Sequence, residues 1–265
     1  MGLKGQLRFL YILFKLKLAR TMAFRFSFFG AFFVDGIMFL IQLLMFSSIY
    51  SQVDSIGGWD RQQMLFFIGT FSLINALNMT FFFFGIISIP HKISSGQLDL
   101  YITKPVKPLL YLSFENINLG SFPLVLGSIG ILIYAVSGMT LEITASMVLG
   151  YIILVNLMLI LYYDTMVLLR TIAFFVIQAS ALERLEGELI TLCMKIPGVL
   201  FEGAFKVIFY LFLPYGIMAT IPTQFFTESL SIMQLGYATG IVIIFTAITL
   251  GLWKLGLKNY KSASS

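Results

Sequence analysis

Almost the entire chain is apolar enough to lie in a membrane, and one polar stretch, residues 91–108, stands out against it. Of the 265 residues, 59% are hydrophobic and 11% are charged, which leaves too little polar surface for a water-soluble globule. Several apolar runs reach the roughly 20 residues that a helix needs to cross a bilayer. The sequence therefore predicts an all-α polytopic membrane protein, with the stretch 91–108 as its candidate functional region.

Residues 1–25 predict an amphipathic helix that lies in the cytoplasmic membrane interface. A cleaved signal peptide is not expected, because Lys15 and Lys17 cut the apolar run short and no small-residue cleavage site follows. The basic side chains of such a helix would lie near anionic lipid headgroups. The alternative is a plain basic flank to the first span. The apolar face holds Leu7, Leu10, Tyr11, Phe14 and Leu18, and the basic residues are Arg8, Lys15, Lys17 and Arg20.

A single transmembrane domain, residues 26–261, is expected to follow, with a disordered tail at residues 262–265. Five apolar segments within it are clear candidates for membrane spans. They are residues 26–50, 64–89, 109–136, 143–163 and 232–253.

The distribution of Lys and Arg predicts the orientation of these spans. Six basic residues lie in the first 25 positions, three in the stretch 91–108 and three after residue 253. The segments 51–61 and 137–142 hold only Arg61. Because short loops rich in Lys and Arg stay in the cytoplasm, both termini and the central loop, residues 90–108, are expected to be cytoplasmic.

This orientation requires an even number of crossings, and residues 163–222 allow two layouts with six. In one, a fifth span runs from about Arg170 to about Leu192, and residues 197–222 return from the outside as a re-entrant hairpin. In the other, residues 165–202 stay at the cytoplasmic interface and the fifth span is residues 204–221. The basic residues of this region favour the second layout, and the first requires its non-helical backbone to be buried in protein.

No catalytic or metal-binding constellation is evident. The chain has one Cys and one His, which excludes an internal disulfide and a cluster with zinc-ligand spacing. Cys193 is interpreted as a small apolar filler. A GxxxxGK[ST] phosphate-binding loop is absent from the sequence, so ATP binding of that kind is not expected on this chain. The protein is therefore predicted not to be an enzyme, and it needs no nucleic-acid partner.

Charged residues inside the predicted spans need a reason, because each costs roughly 2.5 kcal/mol or more at the centre of a bilayer. We expect Glu115, Asp164 and Arg170 to sit at interface depth and to pair with one another or with water. Asp35 lies deeper, and we expect it to face a polar cavity or a partner subunit. Asp35 and Glu115 are therefore candidate translocation or interface residues.

In its order of features, the chain resembles bacterial membrane subunits of type-two ABC exporters. After the amphipathic start come MAFRFSFFG at residues 22–30 and the turn Ile56-Gly57-Gly58-Trp59. The sharpest part is G-Q-L-D followed by T-K-P-V-K-P, within residues 96–108, which is similar to a loop of that family. The chain then ends in a motif that contains Trp253, Gly256, Leu257 and Tyr260.

The resemblance implies a type-2 ABC exporter fold in the bacterial cytoplasmic membrane, with six transmembrane helices, an N-terminal interfacial (elbow) helix and a cytoplasmic coupling helix. It implies a half-channel that pairs with a second permease subunit, in a homodimer or a heterodimer surrounded by membrane lipids. ATP and Mg would bind a separate cytoplasmic ATPase subunit, and this chain would carry no cofactor. The cargo would be an amphipathic or hydrophobic drug, lipid or peptide. By the same analogy, residues 197–222 are expected to be re-entrant.

The loop residues fit a short, stiff coupling helix. Gly96 can start or break a helix, and Pro105 and Pro108 stop one. The side chains of Leu98, Leu100, Tyr101 and Ile102 would form an apolar plug for a partner's groove. The alternative is a plain basic loop near anionic lipid. The predicted coupling residues are Ser95, Gly96, Gln97, Leu98, Asp99, Leu100, Tyr101, Lys104, Pro105 and Pro108.

Two other classes of protein stay open. An ion-coupled secondary transporter or channel would carry carboxylates at mid-membrane and inverted repeats. Asp35 is the one candidate for such a carboxylate, and no convincing repeat is visible. A structural or assembly membrane protein is the third class.

Overall fold

The computed structural model describes residues 5–6, 8–9, 11–16, 33, 36–37, 40–41, 43–176, 180–228 and 232–260. The described residues up to 49 are helical, and an antiparallel bridge joins Ile56 to Trp59. The helices that follow are α1 (Arg61–Phe81), α2 (Phe83–Ile86), α3 (Ile89–Ser94), α4 (Asp99–Ile102), α5 (Pro108–Phe114), α6 (Phe122–Ser137), α7 (Ala145–Thr171), α8 (Ser180–Lys195), α9 (Gly203–Val207), α10 (Thr220–Thr227) and α11 (Ile232–Asn259). Short 3₁₀ turns lie at Leu119–Ser121, Ile172–Phe174, Gly198–Leu200 and Pro214–Ile217, and a π-helical turn at Ile208–Phe212.

Four helical stretches of the described chain are long and apolar enough to cross a membrane. The protein is therefore an all-α, multi-pass membrane protein, as the sequence predicts. The stretches are Arg61–Phe81, Leu119–Ser137, Ala145–Phe174 and Met233–Asn259.

The bounds of these helices differ from the predicted spans where polar residues find partners within the protein. The segment predicted as one span over 109–136 is broken after α5, where the Asn118 side chain accepts from the backbone N–H of Gly120. The span predicted to end at residue 163 continues as α7 to Thr171, because Asp164 and Arg170 are buried and bonded rather than exposed to lipid. The last helix also extends beyond residue 253, to Asn259.

Helix α1 forms the centre of the bundle. It packs antiparallel to α6: Asn118 N–H donates to the Thr80 carbonyl at one end, and Gly138 lies against Gln62 at the other. It packs parallel to α7 through a hydrogen bond between the Thr70 and Tyr151 hydroxyls (2.9 Å) and one that the Tyr162 hydroxyl donates to Asn75 (3.1 Å). Buried polar side chains thus fix the register of the central helices.

Helices α7 and α11 form a second parallel pair. The Thr246 hydroxyl donates to the Asp164 carboxylate, and the Thr249 hydroxyl donates to the Asp164 backbone carbonyl at 3.1 Å. Asp164 was expected to pair with Glu115, Arg170 or water at interface depth, and it instead bonds α11. These bonds satisfy a buried acid without a basic partner.

Two consecutive helical segments, Gly203–Phe212 and Pro214–Thr227, meet at an angle of 84°. Both ends of this bent pair approach the Ile56–Trp59 turn: Leu200 lies beside Gly57, and the Trp59 indole N–H donates to Glu228 at 2.6 Å. The bend itself lies deeper in the bundle, where the Tyr215 ring packs against Tyr162. The pair therefore enters and leaves the bundle at the same end.

Helix α8 connects the two ends of the bundle. In its first half, Glu186 pairs with Arg170 in the last turn of α7. After α8 ends, the side chains of Val199 and Leu200 lie beside Gly57 at the other end of the bundle. The helix is polar on one side, with Glu183 and Glu188 exposed, while Glu186 and Cys193 are buried. Cys193 is thus a buried free thiol, as expected of a small apolar filler.

Candidate functional site

The predicted coupling residues lie in a segment that consists of α3, a glycine turn and α4 and that ends where α5 begins. We name residues 89–108 the polar loop. Gly96 ends α3 with a φ of +73°, a conformation that costs a residue with a Cβ about 1 kcal/mol or more. After this turn, Leu98 N–H donates to the Lys92 carbonyl at 3.0 Å, and α4 follows as a single turn. Gly96 therefore separates two short helices, as its position in the sequence predicts.

The four apolar residues predicted as one plug face two directions. Leu98 is fully buried, and Tyr101 is partly buried. Leu100 and Ile102 are exposed, at 63% and 43% of their surface. Leu98 thus attaches α4 to the bundle, while Leu100 and Ile102 present an apolar surface outwards.

Glu115 holds the polar loop to the end of α5. It forms an ion pair with Lys92, and the side chains of the two residues are 14% and 7% exposed. The Lys92 ammonium also lies over the Tyr101 ring, 4.6 Å from its centroid. Burial and the Glu115 carboxylate raise the pKa of Tyr101, so its hydroxyl stays protonated at neutral pH. Glu115 was expected to pair with Asp164, Arg170 or water, and its partner is Lys92.

Lys104 lies between two tyrosine rings. Its ammonium is 5.1 Å from the centroid of Tyr101 and 4.3 Å from that of Tyr111, in range for cation–π attraction. On the other side, Phe9 packs edge-on against Tyr111 with 4.9 Å between the ring centroids. The described part of the N-terminal helix therefore contacts α5 directly beside the polar loop.

Asp99 of the polar loop lies close to the end of α11. Burial and the neighbouring Asp99 carboxylate raise the pKa of Tyr260, the residue that follows α11. The single turn α4 is thus attached to the bundle by the buried Leu98 and by the contact of Tyr101 with Lys92, and Tyr260 lies close to it.

The predicted coupling residues therefore form one continuous element with an outer and an inner side. Asp35 lies outside the described residues. Ser95, Gln97, Leu100, Lys104 and Pro105 are exposed; Gly96, Asp99, Tyr101 and Pro108 are partly buried; Leu98 is buried.

A buried polar group that sequence reasoning missed lies deeper in the bundle. Glu186 of α8 forms an ion pair with Arg170 and accepts a hydrogen bond of 2.5 Å from the Tyr215 hydroxyl. Arg170 Nε has no hydrogen-bond partner among the described residues. The available signal was the excess of charge in residues 183–188 between apolar segments, but the sequence does not indicate which charges meet.

Metal binding finds no support in the described part of the chain, where no three His, Cys, Asp or Glu side chains come together as possible ligands.

Comparison with known proteins agrees with the all-helical, multi-pass fold. Residues 37–264 match the family model described as ABC-2 family transporter protein. No curated protein and no solved structure matches the chain at a significant level. The family match covers the polar loop, every labelled helix and the end of α11, and it confirms the resemblance noted in the sequence. The chain belongs to the ABC-2 transporter family and is a membrane permease component of an ABC transporter.

Proposed function

We propose that the chain is the permease subunit of an ATP-driven exporter, powered by a separate ATPase subunit that docks on the polar loop. The observation that carries this proposal is the two-sided construction of α4. Leu100 and Ile102 are exposed apolar side chains on a helix whose other side is attached to the bundle by Leu98. An exposed apolar patch on an otherwise anchored helix is typical of a protein–protein contact.

The proposed mechanism is a rigid-body movement. ATP, with Mg, binds between two partner ATPase subunits and closes them, which displaces the polar loops of two paired permease chains. Because Glu115 fixes Lys92 to α5 and Leu98 is buried in the bundle, a displacement of the loop would be passed to the helices against which it packs. The spans then rock, and a cavity between the two permeases opens to the outside.

Glu115 counts against the alternative of an ion-coupled transporter. A coupling carboxylate must be able to bind and release its ion during transport, whereas Glu115 is almost buried and already paired with Lys92. Asp35, the candidate coupling carboxylate of the sequence analysis, lies outside the described residues.

The proposed topology has six crossings with both termini in the cytoplasm. Residues 26–50, α1, α6, α7, α8 and α11 would be the six spans, and the bent pair would be a re-entrant hairpin from the outside. Two contacts support a hairpin that reaches about halfway into the membrane: Tyr215 lies beside Tyr162, and Phe226 lies beside Tyr151. These partners are eleven residues apart on α7, or about 16 Å at 1.5 Å per residue, roughly half of a 30 Å hydrocarbon core.

The proposed cargo is amphipathic or hydrophobic, such as a drug, a lipid or a peptide. Support comes from a groove between α7, α11 and the π-helical turn, whose lining is apolar and includes Leu168, Phe212 and Ile244. The same surface could instead pack against the second permease subunit, in a homodimer or a heterodimer.

The test is to purify the tagged protein from its native membrane in mild detergent and to assay the eluate for a co-purifying ATPase. We expect a stoichiometric partner with vanadate-sensitive ATP hydrolysis. Replacing both Leu100→Glu and Ile102→Glu should release that partner while the permease stays in the membrane. The matched control is Leu141→Glu, which places a charge on an exposed leucine in the turn between α6 and α7.

An ATPase-free preparation of the unmodified protein would contradict the exporter proposal and favour an ion-coupled transporter. A partner that stays bound equally to the double variant and to the Leu141 control would instead contradict the assignment of its docking surface.

A further inference from the structure

Three residues at the end of α11 have no role in the proposed docking surface. Trp253 and Gly256 of α11, and Tyr260 directly after it, lie at intervals of three and four residues, which places them on one side of the helix. Trp253 and Gly256 are buried, although the residues between them are exposed. A buried side on the last turns of a helix indicates that something packs there.

The packing partner is Phe174, in the 3₁₀ turn that ends α7. Its ring lies edge-on against Trp253 at 5.3 Å and against Tyr260 at 6.1 Å between centroids. We name Phe174, Trp253 and Tyr260 the aromatic cluster. Gly256 lies between its members, and a Cβ at that position would overlap the Phe174 ring. The close contact of α7 and α11 at this end therefore depends on the absence of a side chain at residue 256.

The aromatic cluster touches the polar loop at two points. Helix α3 packs against the turn Ile172–Phe174, which holds the central ring of the cluster. Tyr260, at the other edge of the cluster, is a neighbour of Asp99 in α4. The cluster therefore packs against α3 and lies close to α4.

We propose that the aromatic cluster and Gly256 position the ends of α7 and α11 on the polar loop, so that a displacement of the loop moves this helix pair as one body. The inference rests on the proposed function, because it assigns the path by which movement of the docked ATPase reaches the spans. The bonds of Asp164 to Thr246 and Thr249 join the same two helices further along. A displacement applied at the cluster is therefore shared by α7 and α11.

The test compares Gly256→Ala with Gly251→Ala on the same helix. A Cβ at Gly251 meets nothing within 4 Å, whereas one at Gly256 displaces Phe174. Both changes replace a helical glycine by alanine and so alter helix propensity alike. Movement is read from an environment-sensitive fluorophore on Ser146→Cys, an exposed site at the far end of α7, in a Cys193→Ala background. The movement is triggered by adding ATP and vanadate to the complex of the labelled permease with its co-purified ATPase.

We expect the fluorescence change to persist with Gly251→Ala and to fall about tenfold with Gly256→Ala, the size of a typical coupling between distant sites. ATP hydrolysis and co-purification of the ATPase should remain in both, which excludes a simple folding defect. Phe174→Ala should also lose the response, and adding Gly256→Ala to it should change nothing further, because the ring that the new Cβ meets is gone.

An equal response from the Gly256 and Gly251 variants would overturn the inference while leaving the exporter proposal intact. A complex that hydrolyses ATP without any response at residue 146 in the unmodified chain would also overturn it. Failure of the unmodified protein to retain an ATPase would refute the proposed function instead.

Discussion

At the scale of single residues, Glu186 is a buried carboxylate that bonds to two different elements. It is 3% exposed, and its two carboxylate oxygens serve Arg170 and Tyr215 separately. Through these bonds, one side chain of α8 joins the last turn of α7 to the bend of the 203–227 pair. Such a group is stabilising only while it is complete, because a buried charge that loses its partner keeps the full cost of its desolvation.

Glu186→Gln should therefore destabilise the fold by about 3–5 kcal/mol, since it leaves the Arg170 guanidinium buried without a counter-charge. The measurement is the melting temperature in detergent, with tryptophan fluorescence as the signal that is monitored. Glu183→Gln, on the exposed side of the same helix, is the control and should melt with the unmodified protein. Equal melting of the two variants would show that the buried pair contributes little.

At the scale of elements, the buried face of the polar loop should determine the stability of the protein, and its exposed face should determine retention of the ATPase. Leu98→Ala removes a fully buried side chain and should cost about 2–5 kcal/mol of stability. Leu100→Ala, on the exposed face, should change stability by no more than about 0.5 kcal/mol while weakening retention of the ATPase. Thermal melting and co-purification of both variants distinguish these effects, and a stable Leu98→Ala protein would contradict the anchoring role.

The elements also show what the sequence could and could not predict. Hydropathy finds α1, α6, α7 and α11 because lipid selects for long apolar runs, and Gly96 and the prolines locate the short helices of the polar loop. It places α8 only within a broader alternative span from about Arg170 to about Leu192, because Glu183, Arg184 and Glu188 are exposed charges and Glu186 is satisfied by tertiary partners. Nor could it separate Leu98 from Leu100, because a single helical turn is too short for a hydrophobic period to show which side is buried.

At the scale of the whole molecule, the proposed re-entrant hairpin determines on which side of the membrane each segment emerges. In a Cys193→Ala background, single cysteines at Ser55, Glu202 and Glu228 should all react with a membrane-impermeant maleimide in intact cells. A cysteine at Ser94 in the polar loop should react only after the cells are permeabilised. All four parent side chains are exposed, so accessibility reports the side of the membrane rather than burial. Reaction at Glu202 and Glu228 from opposite sides would mean that residues 203–227 cross the membrane as a broken span.

The pairing of Arg170 with Glu186 also bears on how such a chain is made. A segment that carries Glu183, Arg184, Glu186 and Glu188 within six residues is a poor substrate for insertion into lipid by itself, because each charge opposes partitioning. Synthesis proceeds from the N-terminus, so Arg170 leaves the ribosome before Glu186 does. In the proposed six-span topology, α8 would then enter the membrane against a counter-ion that precedes it in the chain, and this order would lower the barrier to its insertion.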